Sequence, residues 1–216
     1  MCGRYHHKRQ SIVKTIGAFQ IRIDWEPDLP RFNVSPTQTM PVIVWDDAAP
    51  VARPMKWGLI PFFSKEPKMQ FSAVNAKAET LNSKPMWKRL LQKRRCLIPA
   101  DGFFEWQAIA GKKMPWRFTL KGEEPFCFAG LWDRWSDPSQ EIETFTIITT
   151  TPNKLVERVH NRMPVILHDS DLETWLKEPR EDLLKPFPES EMEEHRANPL
   201  LNSPKNDSEQ CLLPWE

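Results

Sequence analysis

Proline is the residue that most constrains the fold of this chain, because 21 of the 216 residues are prolines and they are spread along its whole length. A proline lacks a backbone N–H and clashes with the preceding helical turn, so it ends or kinks any helix that contains it. Helices must therefore be short and extended segments numerous. The length suits one medium-sized domain with a substantial core.

Runs of β-branched and aromatic residues predict strands at 41–45, 95–98, 103–107, 116–120, 126–132, 143–150 and 165–167. Short helices are predicted at 11–19, within 78–91 with a break near Pro85, at 153–159, and at 169–176 with carboxylates capping its start. In the first helix, one face would carry Ile12, Val13, Ile16 and Phe19. Helices do not alternate regularly with strands, which predicts an α+β single domain of mainly antiparallel strands with short peripheral helices.

The end of the chain differs in composition, since residues beyond Glu178 are rich in Pro and Glu. We expect residues 177–216 to wrap around the periphery of a core formed by residues 2–176. No apolar stretch approaches the roughly 20 residues that cross a bilayer, and the polar N-terminus does not read as a secretion signal. A cytoplasmic protein without membrane contact is therefore expected.

The four cysteines, Cys2, Cys96, Cys127 and Cys211, are scattered and form no CxxC pair. Neither a zinc site nor a disulfide framework is expected from this spacing, and no cofactor is implied. The charge is unevenly distributed: residues 1–121 hold 21 Lys and Arg against 9 Asp and Glu, whereas residues 122–216 hold 9 against 20. The basic half could attract phosphates, or the two halves could interleave into an ordinary mixed surface.

Cys2 is the first candidate for chemistry. A second residue this small allows Met1 to be removed, which would leave a free α-amine and a thiol on the same residue. With an aldehyde, the amine forms an imine, and the thiol then closes a five-membered thiazolidine ring. The α-amine pKa of about 8 keeps part of it neutral near pH 7. While Met1 is attached, the nitrogen is an amide and cannot react. The alternative explanation is that Cys2 is an incidental second residue with no chemical role.

Three further residues could assist, although each has a structural explanation as well. Asn75 could fix a reacting group, or cap a helix. Glu105 lies in an aromatic extended run: facing inward it would have a raised pKa suited to moving protons, and facing outward it would be an ordinary surface carboxylate. His160, close to Arg162, could relay a proton beside a bound phosphate or be a surface histidine.

Eight segments in order carry a more specific signal than any single residue. The segments are 1–5 (MCGRY), 31–37 (RFNVSPT), 57–61 (WGLIP), 75–80 (NAKAET), 94–106 (RRCLIPADGFFEW), 128–132 (FAGLW), 146–150 (TIITT) and 159–164 (VHNRMP). Together they closely resemble the SRAP family (SOS-response-associated peptidase, or abasic-site-processing proteins), over the chain from Cys2 to about Leu176.

The resemblance implies a role for each site residue. Cys2 would bond covalently to the ring-opened abasic sugar in single-stranded DNA, shielding the lesion, and Asn75, Glu105 and His160 would complete the active site. Arg4, Lys77 and Arg162 would hold phosphates, Trp106 would pack near the lesion, and Phe62 and Phe63 would stack on bases. The family also implies peptidase activity, including self-processing, and a lyase activity. We expect a monomer that is associated with the nucleoid when it is bound to DNA. Lys77 stands where the family commonly has Arg, and 84–89 departs from the usual pattern, which leaves the DNA path there undefined.

Three alternatives remain open from the sequence. An N-terminal-nucleophile amidotransferase also begins Met-Cys-Gly, although the Asn-Gly turn that often supplies its oxyanion donors is absent. A cysteine peptidase could use Cys2, Glu105 and His160 on other proteins. A non-covalent single-strand binding module would rely on charge and aromatic residues alone, and would ignore whether a base is missing.

Overall fold

The structure is a computed structural model that describes residues 2–21, 23–68 and 73–215. Within these ranges the strands are β1 (Arg4–His7), β2 (Arg31–Val34), β3 (Thr39–Asp46), β4 (Ala49–Trp57), β5 (Asn75–Lys77), β6 (Arg95–Ala100), β7 (Gly102–Ile109), β8 (Lys112–Leu120), β9 (Phe126–Ser136), β10 (Glu141–Thr150), β11 (Met163–Pro164), β12 (Ile166–Leu167) and β13 (Met192–Arg196). The α-helices are α1 (Arg9–Phe19), α2 (Pro85–Lys93), α3 (Lys154–Glu157) and α4 (Leu172–Lys177).

The first sheet is antiparallel throughout, in the order β13-β8-β7-β1-β2. Strand β1, which begins two residues after Cys2, lies inside this sheet between β7 and β2. Tyr5 is in register with Phe103 on one side and with Val34 on the other. The strand that follows the predicted nucleophile is thus held on both edges by backbone hydrogen bonds.

The second sheet closes on itself. Its path runs β11-β10-β4-β3-β6-β9-β12, and β9 also pairs with β10, so that β10, β4, β3, β6 and β9 form a ring. Two of its pairings are parallel, β10 with β4 and β10 with β5. This closure accounts for the long apolar runs at 95–98 and 126–132, because strands of a closed sheet bury one face inside the ring and the other beneath helices.

Buried side chains form two large clusters. One includes Tyr5, Trp57 and Phe128 and reaches both sheets. The other packs α1, α2 and α4 against the closed sheet through residues such as Leu90, Leu97 and Trp175. None of the helices in the described ranges is long and apolar enough to span a bilayer.

The C-terminal segment contributes more than the peripheral wrapping that we expected. Strand β13 pairs with β8 along five residues and becomes an edge of the first sheet. Beyond it, Leu201 and Cys211 are fully buried and pack with Phe104 and Ala197 in a third, smaller cluster. The end of the chain therefore builds one wall beside the start of β1.

The predicted α+β single domain with mainly antiparallel strands is confirmed, while two local predictions are wrong. Val13 is 55% exposed and does not share the buried face of α1 with Ile12, which is buried as predicted. The carboxylates before α4 form a 3-10 turn, Asp169–Asp171, and none of them caps the helix with a side-chain hydrogen bond.

Candidate active site

Cys2 lies at the start of β1 with no solvent-exposed surface. The side-chain amide of Asn75 donates a hydrogen bond of 2.9 Å to the Cys2 carbonyl oxygen. Burial raises the pKa of the Cys2 thiol well above its usual value, and the nearby Glu105 carboxylate acts in the same direction. The thiol is therefore neutral at pH 7, and sulfur attack there needs a base to take its proton.

Asn75 is brought to Cys2 by a short strand rather than by a helix cap. It begins β5, which runs parallel to β10 with Asn75 in register with Ile147. The indole of Trp57 donates to the carbonyl of Val74 and helps to hold the segment. Because the backbone is fixed on both sides, the amide of Asn75 can position the Cys2 carbonyl accurately.

Glu105 faces inward. It lies on β7 opposite Trp116, is 3% exposed, and has its pKa raised to about 7 by burial. A carboxyl group with such a pKa is close to half protonated at neutral pH, so it can both give and take a proton.

His160 lies beside this carboxyl group. Its Nδ1 is 3.9 Å from Oε1 of Glu105, too long for a hydrogen bond but close enough for charges to interact. The same Nδ1 lies 3.1 Å from the backbone nitrogen of Arg162 and 3.2 Å from the carbonyl oxygen of that residue, so the backbone of Arg162 holds the ring in place. Burial lowers the pKa of His160, so the neutral form prevails at pH 7.

A cavity of about 580 Å³, here called the Glu105 cavity, opens next to Cys2. The indole N–H of Trp106 donates to Asn202 Oδ1 at 2.7 Å, and the guanidinium of Arg4 lies 5.6 Å from the centre of the Trp106 ring. Arg4 and Lys113 make this cavity attractive to anions. The lining residues are Gly3, Arg4, Glu105, Trp106, Ala108, Lys113, His160 and Asn202.

Arg4 is held by neutral groups. Its guanidinium donates to Asn33 Oδ1 at 2.7 Å and to the carbonyl of Leu201 at 2.8 Å. Asn33 is fixed in turn, because its amide donates to the carbonyls of Ser203 and Asn206. Since none of these partners carries a charge, they orient the positive charge of Arg4 without neutralising it.

A second cavity of about 580 Å³, here called the Arg162 cavity, lies on the Asn75 side of Cys2. Its lining includes Asn75, the exposed Lys77 and Phe63, together with Arg162. Arg162 donates from both terminal nitrogens to the Glu79 carboxylate, at 2.6 and 2.9 Å, and also to the Thr149 carbonyl. A phosphate bound by Arg162 would have to share the guanidinium donors with the Glu79 carboxylate or displace that carboxylate.

The two phenylalanines predicted to stack on bases are exposed, Phe62 by 52% and Phe63 by 61%. Phe63 lines the Arg162 cavity, whereas the ring of Phe62 lies 4.3 Å from the guanidinium carbon of Arg89 and packs edge-on against Phe63. Both rings are thus available beside the cavity, with a cation next to them.

The structure also identifies site residues that the sequence did not suggest. Asn33, Glu79, Lys113 and Asn202 all touch predicted site residues or line the cavities. Asn202 lies outside the segments that carry the family resemblance. Asn33 and Glu79 lie inside those segments, but they contact Arg4 and Arg162 across 29 and 83 residues of chain, so no local pattern could reveal them.

In the folded protein, basic residues of the first half of the chain lie beside acidic residues of the second half. Ion pairs join them at Lys14 with Asp169 (2.9 Å) and Arg53 with Glu143 (2.8 Å). Arg89 with Asp133 (2.6 Å) is a third such pair. These pairs favour the mixed-surface interpretation, so the basic residues near the cavities, rather than the net charge of one half, are the relevant feature for an anionic ligand.

Comparisons with known proteins agree with this arrangement. The sequence model of the family "SOS response associated peptidase (SRAP)" matches residues 1–204. The chain is 38% identical to abasic site processing protein YoqW of Bacillus subtilis, covering 98% of this chain and 99% of that one. It is 32% identical to abasic site processing protein HMCES of Gallus gallus, covering 87% and 67%. A crystal structure of a protein from Bacteroides thetaiotaomicron superposes with a TM-score of 0.85 at 29% identity, covering 98% of this chain and all of that one.

Proposed function

The chain belongs to the SOS response associated peptidase (SRAP) family, and we propose that it processes abasic sites in single-stranded DNA by forming a covalent thiazolidine through Cys2. The names of its relatives support abasic-site processing in DNA. The observation that carries the finer proposal is the convergence on Cys2: Asn75 binds its carbonyl, and Glu105 and His160 lie 3.9 Å apart in the adjoining cavity.

The proposed reaction begins after Met1 has been removed, so that the nitrogen of Cys2 is an amine. An abasic sugar is mostly a closed hemiacetal, and protonated Glu105 assists its opening by donating to the ring oxygen while a base takes the hydroxyl proton. The Cys2 nitrogen then attacks the C1′ aldehyde carbon and gives a carbinolamine.

Ring closure follows in two balanced steps. The carbinolamine hydroxyl leaves as water with a proton from Glu105, while the nitrogen gives up its proton to the neutral His160, and an imine forms. The Cys2 sulfur adds to the imine carbon while its proton passes to the nitrogen, closing the thiazolidine. The net change is the loss of one water. Before sulfur closes the ring, the imine is also the intermediate from which β-elimination cleaves the strand, which accounts for an accompanying lyase activity.

The same groups support the peptidase activity that the family name describes. Glu105 and His160 lie where they could transfer protons during cleavage of the bond between Met1 and Cys2. Because Cys2 is enclosed at the start of a central strand, we propose that this cleavage is directed at the chain itself rather than at other proteins.

Substitution of Cys2 separates the amine from the thiol. C2A keeps a terminal amine after Met1 removal but lacks the sulfur, so with an abasic oligonucleotide it should stop at the imine. Wild type should give an adduct that survives denaturant, with a mass equal to protein plus DNA minus one water. C2A should give a stable adduct only after borohydride reduction. C127A, which removes a buried thiol packed against Thr15 far along the chain, is the matched control.

Two results would contradict the proposal. One is a denaturant-stable adduct of C2A, without reduction, in the same yield as wild type. The other is capture by wild-type protein whose intact mass shows that Met1 is retained. Equal binding of intact and abasic strands, with no adduct, would support the non-covalent alternative instead.

A further inference from the structure

A third concave surface lies beside the Glu105 cavity and is formed by the end of the chain. This C-terminal groove measures about 680 Å³ and is lined by Asn198, Pro199, Leu200, Asn202, Ser203, Asn206 and Trp215. Trp215 is 46% exposed and Leu200 is 37% exposed. A half-exposed tryptophan beside a leucine is an apolar surface that a partner could cover.

The groove adjoins the Glu105 cavity through one residue. Asn202 lines both. Its Oδ1 accepts the hydrogen bond from Trp106, and its amide donates to the carbonyl of Lys113 on β8 at 3.5 Å. A ligand in the Glu105 cavity that continued past Asn202 would therefore enter the groove.

The groove is held rigidly although it lies at the end of the chain. The backbone N–H of Trp215 donates to the carbonyl of Arg196, and Pro214 forms a bridge with Ala197. Asn198 accepts from the N–H of Leu200, and Asn206 donates to the carbonyl of Leu200. A fixed aromatic surface loses little conformational entropy when a ligand stacks on it.

The chemistry of the two neighbouring surfaces identifies the occupant. The Glu105 cavity presents Arg4 and Lys113, which suit a phosphate backbone, whereas the groove is lined by uncharged groups: an indole face, Pro199, Leu200 and several amides. A nucleobase has a flat apolar face, and amides can form hydrogen bonds with its polar edge. Each base is linked through its sugar to the phosphate backbone, so a base and a phosphate of one strand can occupy neighbouring surfaces. We infer that the C-terminal groove binds a base flanking the lesion, stacked on Trp215.

This inference rests on the proposed function, which it extends by a subsite. Trp215 lies beyond residue 204, where the match to the family ends. Asn206 also lies beyond that match, whereas the other residues that line the groove lie within it. The subsite would add affinity for strands that continue past the lesion without reading their sequence, because every base has a π-face.

Binding to an oligonucleotide that carries a tetrahydrofuran in place of the abasic sugar tests the subsite without any covalent step. Stacking on an aromatic side chain contributes about 1–3 kcal/mol per base, so W215A should weaken the Kd from fluorescence anisotropy about tenfold. W215F should stay within about threefold, because phenylalanine keeps a stacking face. L213A removes a side chain that is 53% exposed next to Trp215 but does not line the groove, and its Kd should match wild type.

Oligonucleotide length supplies a second readout. Shortening the strand from the side that reaches the groove should make wild type and W215A equal, whereas shortening from the other side should preserve their difference. Equal Kd values for wild type and W215A on the full-length strand would overturn the inference. The inference would also be overturned if wild type sediments as a dimer and W215A as a monomer, with weaker DNA binding. A second copy of the chain would then be the occupant of the groove. Cross-linking of wild type to an aldehyde-bearing strand, measured in parallel, reports the proposed function separately.

Discussion

Glu105 combines a carboxyl group with surroundings that favour its neutral form. It projects from β7 into a setting where only 3% of the residue is exposed, and burial raises its pKa to about 7. A surface carboxylate would be ionised at pH 7 and could accept protons but not donate them. The burial of this one side chain is therefore what makes acid–base assistance possible near neutral pH.

The protonated form of Glu105 should matter most at low pH. In wild type the rate of adduct formation reflects Glu105 together with the other titratable groups of the site, and E105Q removes the titration of Glu105 alone. The ratio of the wild-type rate to the E105Q rate should therefore fall as pH rises through about 7, and it should be about 100-fold or more at lower pH. Single-turnover cross-linking between about pH 5.5 and 8.5 measures this ratio.

E157Q is the matched control for this experiment, because Glu157 is an exposed carboxylate on α3, a few residues before His160. Its rate should equal that of wild type at every pH. A ratio for E105Q that stays constant across the range would show that Glu105 does not act through its proton.

The sequence identified the residues of the candidate site better than the residues that hold them in place. Cys2, Asn75, Glu105 and His160 were identified through the motifs that contain them, and the structure brings them together. The groups that hold Arg4 could not be identified in this way. They are the side chain of Asn33, 29 residues away, and the backbone carbonyl of Leu201, 197 residues away. Every residue has a backbone carbonyl, so the residue type at position 201 does not indicate this contact.

Strand β1 depends on close approach to β7. A Cβ atom on Gly102 would lie 2.2 Å from Nε2 of His6 and 2.8 Å from the carbonyl oxygen of Phe118. The backbone oxygen belongs to β8 and cannot move without disturbing the sheet. Only glycine therefore allows the three strands to keep their spacing beside the site.

G102A should consequently lower the free energy of unfolding by roughly 1–3 kcal/mol, as overpacking does in other cores. G17A is a control with the opposite expected sign. Its Cβ would meet nothing within 4 Å, and alanine in a helix is preferred over glycine by up to about 1 kcal/mol. Urea unfolding of both variants measures the two changes; an unchanged G102A would show that the sheet yields there.

The strands that the sequence predicted are those with apolar or β-branched runs, such as β6 and β9. The strands it missed lack that signal. Strand β13 consists of Met192–Arg196, mostly charged, because it is an edge strand with solvent beside it. Strand β4 contains Pro50 and Pro54, which read as strand breakers. Its register places Pro54 opposite Pro41, so two residues without an N–H share one position of the ladder.

At the scale of the whole molecule, buried histidines make stability depend on pH. His7 has no exposed surface, its ring lies 3.4 Å from the hydroxyl of Ser11, and burial lowers its pKa to about 3. His6 is also fully buried, its Nε2 accepts from Arg117, and its pKa is lowered as well. Both rings are neutral in the folded protein, whereas in the unfolded chain they bind protons below about pH 6.5.

Because the unfolded chain binds more protons in this range, the contribution of His7 to stability is present above about pH 6.5 and is lost as pH falls towards 3. H7Q cannot be protonated. The stability of wild type relative to H7Q should therefore decrease by about 3 kcal/mol between pH 7 and pH 4.5. Urea unfolding at the two pH values checks this, with H195Q at an exposed histidine as control. Parallel pH profiles for wild type and H7Q would contradict it.

The contact between Arg4 and the carbonyl of Leu201 has a consequence for biosynthesis. These residues are 197 positions apart, so at about 5–20 residues per second the ribosome adds the partner of Arg4 some 10–40 seconds after Arg4 itself. Throughout that interval the start of the nascent chain lacks the wall that will enclose it. The enclosed reactive centre is thus assembled only as translation ends, so self-processing at the bond between Met1 and Cys2 should follow synthesis rather than accompany it.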